Sequence, residues 1–174
     1  VHDTPQVFPR IIYKTTTVGS TSSKVMLSID TRFENVYSGD TIDYVVKYKN
    51  ISGQNLSNAV LHIEFPKEVT FRRANEGHYN QKDHTLTLAL ETLSPSEHDE
   101  IIISVNASSS IRDRSELVTK ATLAFTMPNS AQDNAIAYAL TKVSDARMTS
   151  GNALGANALF GGEGFLPDSL IEWL

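Results

Sequence analysis

The segment SGDTIDYVVKYKN, from Ser38 to Asn50, alternates apolar and polar side chains and constrains the fold more than any other feature of the chain. Its apolar positions recur at every second residue: Ile42, Tyr44, Val46 and Tyr48. Only Val45 interrupts the alternation. Because side chains on a β-strand point alternately to opposite faces, this spacing predicts a strand with one buried face and one wet face.

The same alternation recurs along most of the chain, and turn residues separate one run from the next. Counting Ser38–Asn50, about eight runs predict strands, the others lying at 25–33, 59–65, 69–74, 85–90, 101–107, 116–125 and 135–143. Short strands at this spacing are typical of an all-β sandwich rather than of βαβ units. We therefore predict an immunoglobulin-like β-sandwich of about seven to eight strands with extended N- and C-terminal tails.

The spacing also predicts which side chains face the core. In the first run these are Val25, Leu27, Ile29 and Phe33. In the last run they are Ile136, Tyr138 and Leu140. In the run at 101–107 we expect Ile102 to face outward. Alanine favours helix, so the stretch from Ala131 to Ala139 could instead be helical, but its alternation favours a strand.

Composition changes at both ends of the predicted sandwich, which spans residues 25–143. Residues 1–24 carry an apolar, β-branched patch, Val7–Tyr13, that could form an extra strand, followed by a Gly/Ser/Thr linker. Residues 144–174 are rich in Gly, Ala and Asn and end in an apolar stretch. Since Val1 is not an initiator methionine, we expect a processed or excised piece, and a signal peptide or an anchor could lie outside it.

Bulk composition removes several classes of function. The 174 residues carry a formal net charge of −5, which gives nucleic-acid phosphates nothing to be drawn to. Cysteine is absent, so disulfides and thiolate metal sites are excluded. The sequence has no run of about 18 apolar residues that would span a bilayer.

Reactive motifs are equally scarce. His78 and His84 read as solvated loop residues, because a zinc site needs three or four ligands at recognisable spacing. His98 lies in the acidic turn SEHDE, which lacks the glycine and ligand spacing of a calcium loop. The sequence has no G-x-S-x-G nucleophile elbow. We therefore predict no enzymatic activity, no cofactor and no metal.

The order of these pieces resembles the immunoglobulin-like repeat family of bacterial and archaeal surface proteins catalogued as domain of unknown function number eleven. The matching motifs lie between residues 25 and 143: Gly39-Asp40, Tyr44–Asn50, Ser52-Gly53, Ile63–Pro66, Val69–Phe71, Leu86–Leu90 and the LSPSE turn at Leu93–Glu97. The resemblance implies an extracellular or cell-surface module, usually without enzymatic activity.

Two functions fit this interpretation. The first is a structural subunit of a surface assembly or filament, in which a tail adds a strand to a neighbouring sandwich, so that the partner is another copy or a neighbouring surface domain. The second is a passive stalk or adhesion domain of a larger anchored surface protein. The predicted interface residues lie in the tails: Val7, Phe8, Ile11, Ile12, Tyr13, Phe160, Phe165, Leu166, Leu170, Ile171 and Trp173.

Two features of the sequence, its aromatic residues and its sequons, concern sugars. An adhesion domain could stack exposed aromatic rings on glycans, and with Tyr44 and Tyr48 predicted inward the candidates are scattered: Tyr13, Tyr37, Tyr79 and Trp173. Three Asn-X-Ser sequons also make candidate glycosylation sites: Asn50, Asn55 and Asn106.

Overall fold

The computed structural model of the protein describes residues 18–20, 22–33, 35–112 and 114–144. These residues form eleven β-strands and no helix. In chain order the strands are β1 (Val18–Ser20), β2 (Val25–Thr31), β3 (Asn35–Tyr37), β4 (Thr41–Asn50), β5 (Leu56–Glu64), β6 (Val69–Ala74), β7 (His78–Asn80), β8 (Thr85–Leu93), β9 (His98–Ala107), β10 (Glu116–Thr126) and β11 (Gln132–Ser144). The predicted all-β class is confirmed, and the stretch considered for a helix is a strand.

Two sheets pack face to face. The larger sheet has the order β1-β11-β10-β5-β8-β7, with β3 also pairing with β11, and the smaller has the order β2-β4-β9-β6. Every pairing is antiparallel except that of β3 with β11. The core lies between the sheets, as expected for a β-sandwich.

The central strands of the smaller sheet follow the predicted alternation. In β4 the four predicted apolar positions are buried, while Lys47 and Lys49 are exposed. In β9, Ile101, Ile103 and Val105 are buried and Ile102 faces outward, as predicted. Tyr44 and Tyr48 therefore belong to the core.

The predicted face of β11 is wrong by one residue. Its buried positions are Ala135, Ala137, Ala139, Thr141 and Val143. The larger side chains of Ile136, Tyr138 and Leu140 lie on the outer face of the sheet. The cause is the neighbouring sheet, since Cα atoms of β2 come within 8 Å of β11, closer than the usual separation of about 10 Å between packed sheets. Alanine leaves room for this close approach.

Two further differences concern the start of the chain. Phe33 does not join the core but is exposed, because β2 ends at Thr31, whose hydroxyl donates to the Phe33 carbonyl at 3.0 Å in the turn that follows. Val18–Ser20, in the stretch predicted as linker, is strand β1, which pairs with β11 from Ile136 to Tyr138.

Candidate interaction surfaces

The two lateral sides of the sandwich differ in how they are closed. On one side β2, the edge of the smaller sheet, lies close to β11 and β1 of the larger sheet. On the other side the chain crosses between sheets from β6 to β7. There Phe71 of β6 stacks on Tyr79 of β7, with ring centroids 4.2 Å apart, and Phe65 lies beside both rings. The aromatic group closes one half of this side.

The other half of this side has an unpaired strand edge. Strand β7 pairs with β8 only from Thr85 to Thr87. From Leu88 to Thr92, no strand within the described ranges pairs with the side of β8 opposite β5. We call this stretch, Leu88–Thr92, the open edge. An unpaired row of backbone N–H and C=O groups is a ready template for another strand.

The open edge also carries partly buried apolar side chains. Leu88 and Leu90 pack against the core while remaining only partly buried. A register shift leaves Leu90 without a Cα partner on β5, and Glu91 beside it has a φ of 58°. Bulges of this kind re-aim side chains and are frequent at sheet edges and next to functional sites. An added strand could therefore gain main-chain hydrogen bonds and cover both leucines.

The neighbouring edges of the smaller sheet are blunted. On β9 the backbone groups of Ile102 are already bonded to Asn75. The Ile102 N–H donates to the Asn75 side-chain oxygen at 2.9 Å, and the Asn75 N–H donates to the Ile102 carbonyl at 3.1 Å. Strand β6 has a register shift between Phe71 and Arg73, and both Arg72 and Arg73 are exposed on it. Bulges and charges are common devices that prevent edge-to-edge pairing. The open edge of β8 has a register shift and one charge, Glu91, but within the described ranges it has no pairing strand, and no bond like that of Asn75 to Ile102 holds it.

Acidic side chains lie on the open edge and in the turn that follows β8, while Arg72 and Arg73 lie on the neighbouring strand β6. Glu91 lies on it, and Glu76, Glu97 and Asp99 lie on the adjoining connections and on β9, all of them exposed. Burial, followed by the charges of Asp99, Glu76 and Glu97, raises the pKa of Tyr48 to about 12. These carboxylates therefore lie close enough together to act on one hydroxyl. The surface favours a partner segment with positive charge.

A second candidate surface lies on the outer face of the larger sheet. It consists of Ile136, Tyr138 and Leu140 of β11 with Val118 of β10, which is paired with Leu140, and we call it the outer strip. Val118 is 49% exposed and Tyr138 is 38% exposed. This surface was not predicted from the sequence, because the alternation in β11 assigned its large apolar residues to the core.

Polar groups border the outer strip. Lys120, which pairs with Tyr138 across the strands, donates to the Glu64 carboxylate at 2.9 Å. Beside them, His62 and Thr87 are joined at 2.9 Å. His62 thus lies on the outer, polar face of β5. These pairs hold the charges of the face together and leave the outer strip as its apolar part.

The predicted tail interface residues lie outside the described residues, and so do Tyr13 and Trp173. Of the other aromatic candidates, Tyr37 is exposed and Tyr79 is half-buried against Phe71. Tyr138, predicted to be buried, adds an exposed ring. No two of these three rings make an aromatic pair in the described structure, so they form no stacking platform for a sugar.

The three sequons occupy different environments. Asn55 is exposed and Asn106 is half-buried, accepting a bond from the Thr41 hydroxyl at 2.9 Å. Asn50 is fully buried, and its amide nitrogen donates to the carbonyls of Gln54, Leu93 and Ser94 at 2.7–3.1 Å. In the folded domain the Asn50 amide is engaged in the core, which corrects its assignment as a glycan acceptor; Asn55 and Asn106 stay predictions.

The described residues contain no group of three His, Cys, Asp or Glu side chains that could hold a metal ion, and no helix among them is long and apolar enough to cross a membrane. A shallow recess of about 380 Å³ lies at the ends of β5, β10 and β11. Its lining residues are Asn58, Ala124, Phe125, Thr126, Gln132, Asp133 and Asn134. Asp133 is the one ionisable residue in the lining, so the recess holds no acid–base pair.

Comparison with solved structures supports the fold of an immunoglobulin-like β-sandwich domain. The RrgA Jo.In complex matches 72% of this chain and 83% of its own, with a TM-score of 0.52 and 9% identity. The D312A variant of BcpA, the major pilin subunit of Bacillus cereus, matches with a TM-score of 0.52 and 10% identity. That match covers 76% of this chain, which spans about half (49%) of the pilin chain.

At these identities the likeness shows the fold alone. No protein-family model matches the chain, and neither does any curated protein. Membership of the surface-repeat family therefore stays a prediction.

Proposed function

We propose that the protein is a non-catalytic structural module of the cell surface that assembles by strand exchange. In this proposal the segment Val7–Tyr13 of one copy adds as an extra strand to the open edge, Leu88–Thr92, of the next copy. The observation that carries it is the open edge itself, an unpaired stretch of strand with half-buried leucines. Main-chain hydrogen bonds provide affinity in such strand addition, and alternate side chains provide specificity.

Chain length favours a second copy as the donor. Val18 pairs with Tyr138, and β8 is four strands away across the larger sheet, about 19 Å at ordinary strand spacing. Across the sheet, Leu88 lies level with Ala135 of β11. Ala135 is three residues from Tyr138, which adds about 10 Å along the strands. The total is about 21 Å, whereas the five residues from Val18 back to Tyr13 span at most about 18 Å. Tyr13 therefore falls short of the open edge of its own chain, so pairing over the full length of Val7–Tyr13 favours a second copy.

The chemistry of Val7–Tyr13 suits an added edge strand. Its residues are mainly β-branched or aromatic, which favours extended structure. Pro9 lacks an N–H, and proline is accepted on an edge strand when that position faces away from the neighbour. Val7, Ile11 and Tyr13 then share one face with Pro9. That face would cover the leucines, and Arg10 would point outward.

Charge distinguishes the two tails as donors. Val7–Tyr13 carries Arg10 and is followed by Lys14, which complements the acidic side chains around the open edge. The C-terminal stretch Phe160–Leu174 instead carries Glu163, Asp168 and Glu172 and has no basic residue. Its apolar residues also lack alternation with a period of two. The N-terminal segment is therefore the better donor.

The donor segment precedes β1 at one edge of the larger sheet, and the acceptor lies toward the opposite edge, so the proposed contact is heterologous. Head-to-tail contacts generate rings or open filaments, according to whether the rotation closes. A major pilin subunit is among the proteins with this fold, so the fold is compatible with that role. The cell-surface location proposed here rests on this compatibility and on the sequence resemblance.

Light scattering as a function of concentration tests the proposal. The full chain should form concentration-dependent oligomers. A variant that lacks residues 1–13 but keeps β1 should be monomeric with an unchanged melting temperature. A peptide of residues 6–14 should bind the truncated protein, and the Ile11→Asp peptide should not. Oligomers that persist after truncation, or equal binding of both peptides, would contradict strand donation; a full chain that stays monomeric would favour a passive stalk or adhesion domain.

A further inference from the structure

The outer strip places four apolar side chains on a face that no described element covers; Val118 and Tyr138 are exposed there, and Ile136 and Leu140 are partly buried. Polar residues usually occupy the solvent side of an antiparallel sheet. Here three successive outward positions of β11 are Ile136, Tyr138 and Leu140, next to Val118. Contiguous exposed apolar surface commonly marks a site of interaction. The strip calls for an occupant that is apolar over a similar length.

The chain carries such an occupant beyond β11. Residues Phe165–Leu174, with sequence FLPDSLIEWL, hold six apolar side chains of Phe, Leu, Ile and Trp. Burying a side chain of this kind contributes about 1.5–3 kcal/mol relative to leaving it in water. Covering the strip with this segment would therefore remove apolar surface from water on both partners.

The tether has a suitable length for the same chain to supply the segment. Residues 145–164 separate Ser144, the end of β11, from Phe165. A Gly-rich chain of 20 residues has a mean span of about 25 Å. Tyr138 lies six residues back from Ser144 on β11, about 20 Å away. When the span of a tether matches the separation of the sites, the effective concentration is near its maximum.

Charge supports the same pairing. Lys142 is exposed on the outer face of β11, one outward position beyond Leu140, and its cross-strand partner is Glu116. The segment carries Asp168 and Glu172, and no Lys or Arg follows Arg147 in the sequence. An acidic and apolar segment therefore meets a strip that ends in a cation.

We propose that Phe165–Leu174 docks intramolecularly on the outer strip and covers Val118, Ile136, Tyr138 and Leu140. This docking is independent of strand exchange, which uses the N-terminal segment and the opposite edge of the sheet. It would leave the open edge unobstructed. The C-terminal stretch would then belong to the domain rather than to an interface between copies.

The single tryptophan of the chain, Trp173, reports directly on this docking. In the full chain, we expect blue-shifted emission and weak quenching by acrylamide, both unchanged on dilution. The double variant Val118→Glu and Tyr138→Glu should shift the emission to the red and raise the quenching constant several-fold. The matched control is Ile102→Glu, since Ile102 is 46% exposed on the outer face of the other sheet, and it should change neither quantity.

Three results would overturn the proposal: a Trp173 that is fully quenchable in the unaltered chain, emission that depends on protein concentration, or equal effects of the strip and control variants. Circular dichroism of each variant verifies the β-sheet. If the double variant fails to fold, Lys142→Glu provides the second test. It should raise the quenching constant while leaving the sandwich intact, and no rise would contradict docking at this end of the strip.

Discussion

Replacing Asn50 by alanine should destabilise the domain strongly, although the residue resembles a surface sequon in the sequence. Its side chain is fully buried between the β4–β5 connection and the β8–β9 turn. The amide has two N–H groups shared among three carbonyls, while its oxygen accepts from the Ser52 N–H at 2.9 Å and the Ser52 hydroxyl at 2.7 Å. The bonds to Leu93 and Ser94 join two loops distant in sequence, whereas those with Ser52 and Gln54 hold the β4–β5 connection together.

The magnitude follows from those bonds. A net contribution of about 1 kcal/mol for each of four bonds gives about 4 kcal/mol, including the loss of a partner for the buried Leu93 carbonyl. With a urea m-value of about 2 kcal/mol/M, the unfolding midpoint should fall by about 2 M. Asn50→Asp keeps the shape and the bonds from Ser52 but removes the N–H donors. It should therefore lower the free energy of unfolding by at least half as much as Asn50→Ala.

Urea unfolding monitored by circular dichroism provides the assay, with Asn55→Ala as the matched control. Asn55 belongs to a neighbouring sequon of the same loop but is exposed, and exposed substitutions usually change stability by less than about 0.5 kcal/mol. If Asn50→Ala lowers the midpoint no more than Asn55→Ala, the interpretation of Asn50 as a buried cross-link between loops is wrong.

Three further predictions concern the sandwich. Burial and nearby carboxylates raise the pKa of Tyr48 from 10.0 to about 12, so the folded state loses stability as pH rises from 10 to 12; Tyr48→Phe should remove that loss in alkaline urea titrations. Gly77→Ala should lower stability by about 1–2 kcal/mol in thermal melts, because φ is +97° and a Cβ would lie 3.1 Å from Leu86 Cδ1, whereas a neutral result would show that this crossing tolerates a side chain. Ala137→Leu should cost about 1–3 kcal/mol by overpacking against β2, while Ile136→Leu on the outer face should be nearly neutral, and the reverse ranking would contradict the assigned faces.

The sequence predicts the sandwich well where one face is apolar and the other polar. In β4, Lys47 and Lys49 fix the wet face, and the structure agrees. In β11 both faces are free of charge from Ala135 to Thr141, so the size of the side chains was the remaining guide. Side-chain size predicted the wrong face, because the close approach of β2 leaves room for alanine on the inner face of β11. Which residues fit between two sheets depends on their separation, a property of the assembled fold.

The local sequence pattern could not predict the short strands or the interaction surfaces. Strands β1, β3 and β7 have three residues each, too few to establish a period. The open edge exists because β7 begins only at His78, opposite Thr87, and this pairing cannot be seen in the sequence of β8. Asn50 likewise matches a sequon locally, and only the arrival of the Leu93 carbonyl gives its amide a structural role.

Disulfide trapping tests strand exchange most directly, because the chain has no cysteine of its own. Arg10→Cys combined with Ala89→Cys places one thiol on the donor segment and one on the exposed face of β8. Under mild oxidation we predict a ladder of covalent oligomers on non-reducing gels. The control, Arg10→Cys with Ala124→Cys on the exposed face of β10, should stay monomeric. Equal ladders in both variants, or only monomer with an internal disulfide, would contradict donation of Val7–Tyr13 to the open edge of a second copy.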